Sequence, residues 1–569
     1  MGTIDGFWLP EDVRQRVLGA GTEYEMLSFA RGRPCAPGDP GAVTARWPVL
    51  DMDQWQALRA ALGANRQRVP RGEALWARFQ AALARVAGRF GDPADPLHRL
   101  ALASLPGYTG YSEAMIGLAL GGMEMWSLEH FAGAFDLAPT REAAAGWQPL
   151  GTVPGRLRFY PARRRQRLAA RLPGPKGRPL FGDLAQPEQV VGYGAGNVPG
   201  TALLIGFLAL ATGLTGGHPP ATVVKNSRRE PIFAPLVLGA LEAADADLVA
   251  ALAVTIWDYG QAEVQRYLLS EADLAIAAAS DETIAQIGRA IAGSRQPDRV
   301  RFQAHGHKVS FSAIGREVLA RGQRVEPGGA DLIDAVALLA ALDSAFWDQH
   351  GCLSSRVHFV EAGDPGAHST REYAERLAAQ LRLLADFFPR GAWPRRRLYD
   401  RFDRYKLLEQ TGQVRVVSEY DDEFVVVVDE RPPDRAGFPA QVNECEGRVI
   451  VVRPVAGLME VPDRYLGQLP AANLQSLSVA LGRPGEGLTE DFLRFAEACG
   501  ARGVTALRTV GRGAFPQLAY SWDGLIPLDL VRSRPAGYFT TIEFDAPYDE
   551  LAATYRLFVE RGAALSSGA

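Results

Sequence analysis

A thiol on a glycine turn is the most reactive group this chain presents. Cys352 follows Gln349-His350-Gly351 and precedes Leu353-Ser354-Ser355-Arg356, at the start of an apolar run from Val357 to Val360. A cysteine so placed is open to a substrate, and its thiolate is a nucleophile towards a carbonyl carbon. The less reactive reading is a small apolar residue filling a turn. Far upstream, Gly194-Ala195-Gly196-Asn197-Val198-Pro199-Gly200 joins a short strand, Gln189 to Tyr193, to an apolar helix. The Asn197 carboxamide can donate a hydrogen bond to a developing oxyanion, or it can cap the helix that follows. The turn is glycine-rich, but Pro199 stands where a dinucleotide-binding pattern needs its third glycine.

Further polar groups fall at the ends of apolar strands. Ala221 to Val224 leads into Lys225-Asn226-Ser227-Arg228-Arg229, a basic turn suited to a phosphate. Ala272 to Ala279 leads into Ser280-Asp281-Glu282-Thr283, the start of a capped helix. There Ser280 and Thr283 can donate to an anion, while Asp281 and Glu282 would repel it. Arg301 to Phe311 holds Gln303, His305, His307 and Lys308, and Asn443-Glu444-Cys445-Glu446-Gly447-Arg448 supplies a carboxylate at Glu444.

The elements that must position these groups read as α/β. Helical spacing marks Met52 to Leu62, Gly72 to Phe90, two helices within Leu97 to Phe135, Asp331 to Phe346 and Ser369 to Phe388. Val414 to Val417 and Phe424 to Val428 read as strands with an acidic turn between them, and Arg395 to Arg404 as an arginine-rich loop. Gly537 to Phe544 alternates like a strand able to join a neighbouring subunit's sheet. Tyr111 with Met115, Met123 and Met125 fits helix core better than acyl contact. The run Arg163 to Arg167 fits a solvated face.

Composition narrows the function classes. With 569 residues the chain has room for two or three cores. A net charge of −4 gives no general pull towards nucleic acid or an anionic membrane. Its four cysteines, Cys35, Cys352, Cys445 and Cys499, form neither a disulfide framework nor a zinc pattern, so a cytoplasmic location and no metal are expected. The most lipophilic run, Thr201 to Leu214, is shorter than the ~20 residues a membrane span needs. No signal peptide is read in Met1 to Pro10.

Taken in order, the Asn-Val-Pro turn at Asn197, the strand-end Lys225, the Gly-His-basic-x-Ser-Phe stretch from Gly306 to Phe311 and the Cys352 turn resemble the aldehyde dehydrogenase superfamily. Within it they are similar to the acyl-CoA reductases of the LuxC type, the bioluminescence fatty acid reductases, over about Leu97 to Arg534. The resemblance implies an aldehyde dehydrogenase-like fold: a Rossmann-type cofactor domain and an α/β catalytic domain, with a helical N-terminal extension. The expected divisions are 1–95 for the extension, 96–325 for NADP binding with a contribution from about 440–470, 326–535 for the catalytic cysteine, and 536–569 for a tail used in oligomerisation.

It further implies NADPH as cofactor. Lys225, Ser227, Arg228 and Arg229 would hold the adenosine ribose and its 2′-phosphate, Ser280 and Thr283 the diphosphate, and Glu444 the nicotinamide ribose. Cys352 would carry the acyl group and Asn197 its oxyanion. Gln303 occupies the slot of the glutamate base that oxidising relatives carry, which favours reduction of an acyl thioester over hydrolysis. Expected partners are acyl-CoA or another acyl thioester, an acyl-activating or acyl-transferring protein, and a second copy of the chain. The alternatives are an oxidising aldehyde dehydrogenase and a non-catalytic acyl-carrying subunit.

Overall fold

The computed structural model describes residues 2–122, the strands 147–149 and 155–160, residues 187–513 apart from 216, 259, 295–296, 298, 327 and 483–488, and positions 523, 540–545, 555 and 559. Met123, Met125 and the Arg163 to Arg167 run lie outside them. Within the described residues the strands make three sheets, of four, five and ten members.

The five-stranded sheet runs in the order Arg301–His305, Leu274–Ala278, Gln189–Tyr193, Ala221–Lys225, Leu252–Thr255, and every neighbouring pair is parallel. Three of these strands, Ala221–Lys225, Leu252–Thr255 and Leu274–Ala278, are short apolar runs buried along their whole length, as expected where helices cover both faces. The order reverses between Gln189–Tyr193 and Leu274–Ala278. In such sheets the crevice beyond the strand ends at that reversal is where a ligand binds. The helix Thr201–Ala211 is a buried helix, as its length and composition predict.

Both expected N-terminal helices form, as Met52–Asn65 and Gly72–Gly91. Ahead of them lies a four-stranded sheet that the sequence reading missed. Its strand Glu23–Ala30 is exposed over much of its length, so the apolar alternation that marks a strand is weak. Residues 1–95 pack onto the five-stranded sheet. Trp8 and Val254 exchange backbone hydrogen bonds at 2.7 and 2.9 Å along the outer strand. Phe79 meets Phe207 edge-on at 5.1 Å.

The ten-stranded sheet runs Val414–Val416, Val425–Asp429, Val449–Val455, Ser355–Glu361, Val309–Ile314, Leu474–Ala480, Ala506–Thr509, Thr540–Asp545, Gly155–Tyr160, Trp147–Pro149. Only the two terminal pairs are antiparallel. The chain passes from the small sheet to the large one through Gly306-His307-Lys308, well before the boundary expected at 325. Val449–Val455 lies inside the large sheet, beside the strand that follows Cys352. Thr540–Asp545 pairs with strands of its own chain, not a neighbour's. Arg395–Glu409 is a helix rather than a loop. Leu398, Phe402 and Tyr405 bury one face of it, a spacing that the surrounding arginines obscured in the sequence.

Candidate active site

Cys352 sits where the two large sheets face each other. It precedes the amino end of Ser355–Glu361, and the carboxyl ends of the five-stranded sheet lie opposite, across a cavity of about 900 Å3. The loop that presents it is unusual in its backbone. Trp347, Asp348 and Gln349 all have positive φ, at 54°, 47° and 63°, a left-handed run that non-glycine residues adopt only under constraint. The constraint is a buried ion pair. Asp348 accepts from Arg448 Nε at 2.8 Å and from the Gly391 amide at 2.9 Å, and both charged side chains are fully buried. Gln349 bridges the Ser355 carbonyl at 3.0 Å and the Val449 amide at 2.9 Å. On the far side, Ser310 Oγ donates to the Cys352 carbonyl at 2.8 Å.

The thiol itself is part-exposed at the cavity. Burial of its surroundings, and then the Asp523 carboxylate, push it up to about 11. Hydrogen bonds from Gln475 and from the Cys352 and Leu353 amides act in the opposite direction. Asn197 lines the same cavity, and its Nδ2 donates to the His350 carbonyl at 2.9 Å, two residues before the cysteine. Tyr111 holds the Asn197 turn: its hydroxyl donates to the Asn197 carbonyl, and its ring lies 5.0 Å from that of Trp347. Tyr111 and Met115 are both buried, as helix-core residues would be.

The strand Arg301–His305 brings His305, not Gln303, to the cavity. Gln303 is buried two residues back. His305 Nδ1 lies 2.8 Å from Asp523 Oδ2, and Gln475 Nε2 donates to Asp523 Oδ1 at 2.6 Å. Burial alone would raise the Asp523 carboxyl, but the bond to His305, the charges of His305 and Lys308, and the Gln475 bond hold it below the usual range. Sequence reading found no chemistry in Gln475, Asp523, Arg356 or Arg508, all of which line this cavity. Polar and charged residues inside otherwise apolar strands, such as Gln475 and Arg508, were the available signal. Arg356 is 8% exposed and donates to the Val442 carbonyl at 3.1 Å; burial lowers its pKa, while Cys445, Glu446 and Cys352 oppose that shift.

On the opposite wall the expected cofactor residues divide. Ser227, Arg229, Ser280 and Thr283 line the cavity beside the Gly194–Gly196 turn. Gly196 must be glycine, because a Cβ there would fall 2.1 Å from Ser227 Oγ. Ser280 caps its helix, accepting from the Thr283 amide at 3.3 Å. Lys225 is buried behind this wall with its ammonium 5.7 Å from the Trp257 ring centre, and burial takes it down to about 7. Arg228 turns away from the cavity: Glu25 and Asp258 converge on its Nη2 at 2.7 to 2.8 Å, so its charge is already matched. Glu444 is also displaced, held by Arg404 and Arg401 outside the cavity lining. The carboxylate that reaches the cysteine loop is Glu446, 3.2 Å from His350 Nδ1. The hydroxyls, the arginine and the open glycine turn at the sheet's reversal point fit a dinucleotide. Among the described residues no cluster of side chains could hold a metal ion, and no helix is long and apolar enough to cross a membrane.

The two α/β sheets with a cysteine loop between them define an aldehyde dehydrogenase-like fold. The Delta-pyrroline-5-carboxylate dehydrogenase from Mycobacterium tuberculosis is similar at a TM-score of 0.51 and 13% identity, over 96% of this chain and 83% of that one. An indole-3-acetaldehyde dehydrogenase in complex with NAD+ has a TM-score of 0.51 and 14% identity, over 88% and 91%. An NADP-dependent glyceraldehyde-3-phosphate dehydrogenase from Bacillus halodurans C-125 has 0.50 and 12%, over 85% and 87%. No curated protein sequence matches the chain. The family profile described as acyl-CoA reductase (LuxC) matches residues 185–533, more than half of the sequence. The chain belongs to the LuxC acyl-CoA reductase family and is an oxidoreductase of that class.

Proposed function

We propose that this protein reduces an acyl thioester, in the simplest case acyl-CoA, to an aldehyde, with the acyl group carried on Cys352 and NADPH as the cofactor. The observation that supports this best is one cavity joining a cysteine on a fixed loop to the reversal point of a parallel sheet. Cys352 attacks the thioester carbonyl and the carrier thiol leaves. The Asn197 amide, which lines the same cavity and donates to the His350 carbonyl two residues before Cys352 in sequence, stabilises the oxyanion, a contribution of about 3 kcal/mol. A reduced nicotinamide bound there would supply hydride to the acyl carbon. Ser280 and Thr283 would hold its diphosphate, and Arg229 the 2′-phosphate that separates NADPH from NADH.

Asp523 is the sole carboxylate among the described residues lining the cavity, and His305 and Gln475 already bond it. A free carboxylate to activate water is thus missing from that wall, which favours reduction over oxidation to a free acid. The test supplies aldehyde and NADP+ with and without CoA. Acyl-CoA should form with CoA present, and little acid without it. Rapid acid formation without CoA would favour an oxidising dehydrogenase instead.

A further inference from the structure

Tyr111 stands in a turn between two helices and touches both walls of the cavity. Pro96–Thr109 ends on Gly110, whose φ is 81°, and the next helix begins at Glu113. From that turn the Tyr111 hydroxyl donates to the Asn197 carbonyl on one side. On the other side its ring lies 5.0 Å from that of Trp347 and 6.4 Å from that of His350, in the cysteine loop. We propose that Tyr111 is a positioning residue for the oxyanion step, aiming the Asn197 amide at the acyl carbonyl that Cys352 attacks. This rests on Asn197 being the oxyanion donor and adds the group that aims it.

The need for an outside support follows from the Asn197 turn itself. Gly194 and Gly196 flank Ala195, so the chain before Asn197 has wide backbone freedom and little side chain to restrain it. A hydrogen bond to the Asn197 carbonyl fixes the plane of the peptide that follows, and with it the ψ angle of Asn197. The carboxamide carries two N–H donors. One goes to the His350 carbonyl at 2.9 Å, which leaves the other for an oxyanion. With backbone and side chain each tied once, that remaining donor keeps one direction.

Tyr111 can serve as a support because it is itself held. The Gly107 carbonyl accepts from the Gly32 amide of the N-terminal sheet at 2.8 Å, and the Gly110 carbonyl accepts from the Ala392 amide at 2.7 Å. The Tyr111 amide donates to Thr109 Oγ1 at 3.2 Å. The chain at Gly391 packs so closely that a Cβ there would lie 2.2 Å from the Gly110 carbonyl oxygen. Gly391 in turn donates to Asp348, the anchor of the cysteine loop, at 2.9 Å. The turn is thus tied to the same residues that hold Cys352 in place. Tyr111 is 3% exposed, a site that phenylalanine would fill equally well, so the hydroxyl is the part that calls for a role. Burial, then the charges of Asp348 and Glu446, push that hydroxyl well above its usual range, so it remains a donor.

The experiment measures acyl-enzyme formation from saturating acyl-CoA, without cofactor, by rapid quench and intact-protein mass. It compares wild type with Tyr111→Phe, Asn197→Ala and the double variant. Tyr111→Phe keeps the ring and removes only the hydroxyl. It should acylate about 10- to 10²-fold more slowly, the scale expected for a misplaced group, with the half-saturating acyl-CoA concentration and NADPH affinity unchanged. Asn197→Ala should be about 10²- to 10³-fold slower. The double variant should be no slower than Asn197→Ala, because the hydroxyl then has nothing to aim. A tyrosine that only fills the core would multiply its own loss onto that of Asn197→Ala, and this result would overturn the proposal. Tyr111→Phe acylating at the wild-type rate beside a slow Asn197→Ala would overturn it as well, with Asn197 left standing as the donor. Asn197→Ala at the wild-type rate would remove the oxyanion reading itself, and the role of Tyr111 with it.

Discussion

At the scale of single residues, the proposed chemistry depends on how neighbours treat the Cys352 sulfur. Burial and the Asp523 charge raise its pKa to about 11, so below that value the thiolate fraction falls about tenfold with each pH unit of acidification. Iodoacetamide should therefore alkylate Cys352 of the cofactor-free protein at a rate rising through pH 10; a rate levelling off near pH 8 would contradict this environment. Asn197→Ala should lower kcat by about 10²- to 10³-fold with cofactor affinity kept, the loss expected for one oxyanion donor. Cys352 and Asn197 were legible in the sequence because both stand on turns whose glycines expose them. Asp523 and Gln475 were not, because their meaning lies in partners more than 40 residues away in the chain.

At the scale of elements, the cysteine loop is held by the buried Asp348–Arg448 pair rather than by its own sequence. Three consecutive left-handed residues persist because that pair, Gln349 and Gly391 fix both sides of the turn. Arg448→Met leaves the Asp348 charge buried without its partner and should cost about 3–5 kcal/mol of stability. Denaturant unfolding measures this, and the double variant Asp348→Leu with Arg448→Met should lose less than the two singles summed. The sequence showed the loop and the strand after it, but a lone aspartate and an arginine 100 residues apart carry no local signal. The same limit applied to Arg395–Glu409, whose apolar face is hidden among arginines until Leu398 and Phe402 are seen packed.

At the scale of the molecule, the N-terminal 95 residues reach the basic turn that follows Ala221–Lys225, beside the wall proposed to hold the cofactor. Glu25, from the four-stranded sheet, joins Asp258 in matching Arg228. Arg228→Ala should accordingly lower the melting temperature and leave the NADPH-to-NADH preference nearly unchanged. Arg229→Ala should cost about 1–3 kcal/mol of that preference, the value of a charged hydrogen bond. Paired cofactor titrations separate the two, and a large loss of selectivity in Arg228→Ala would reverse the assignment. The two-sheet architecture was legible from the order of apolar strands and turn residues. The N-terminal sheet and the placement of Val449–Val455 were not, since both depend on which distant strand each one meets.

The central claim is that Cys352 carries an acyl group that is then reduced. The direct measurement is NADPH consumption and aldehyde release by the purified protein with acyl-CoAs of graded length, alongside intact mass for a thioester adduct. Wild type should consume one NADPH per aldehyde and carry the adduct when NADPH is withheld, while Cys352→Ala should do neither and still bind NADPH. Aldehyde formation by Cys352→Ala at the wild-type rate would contradict the account.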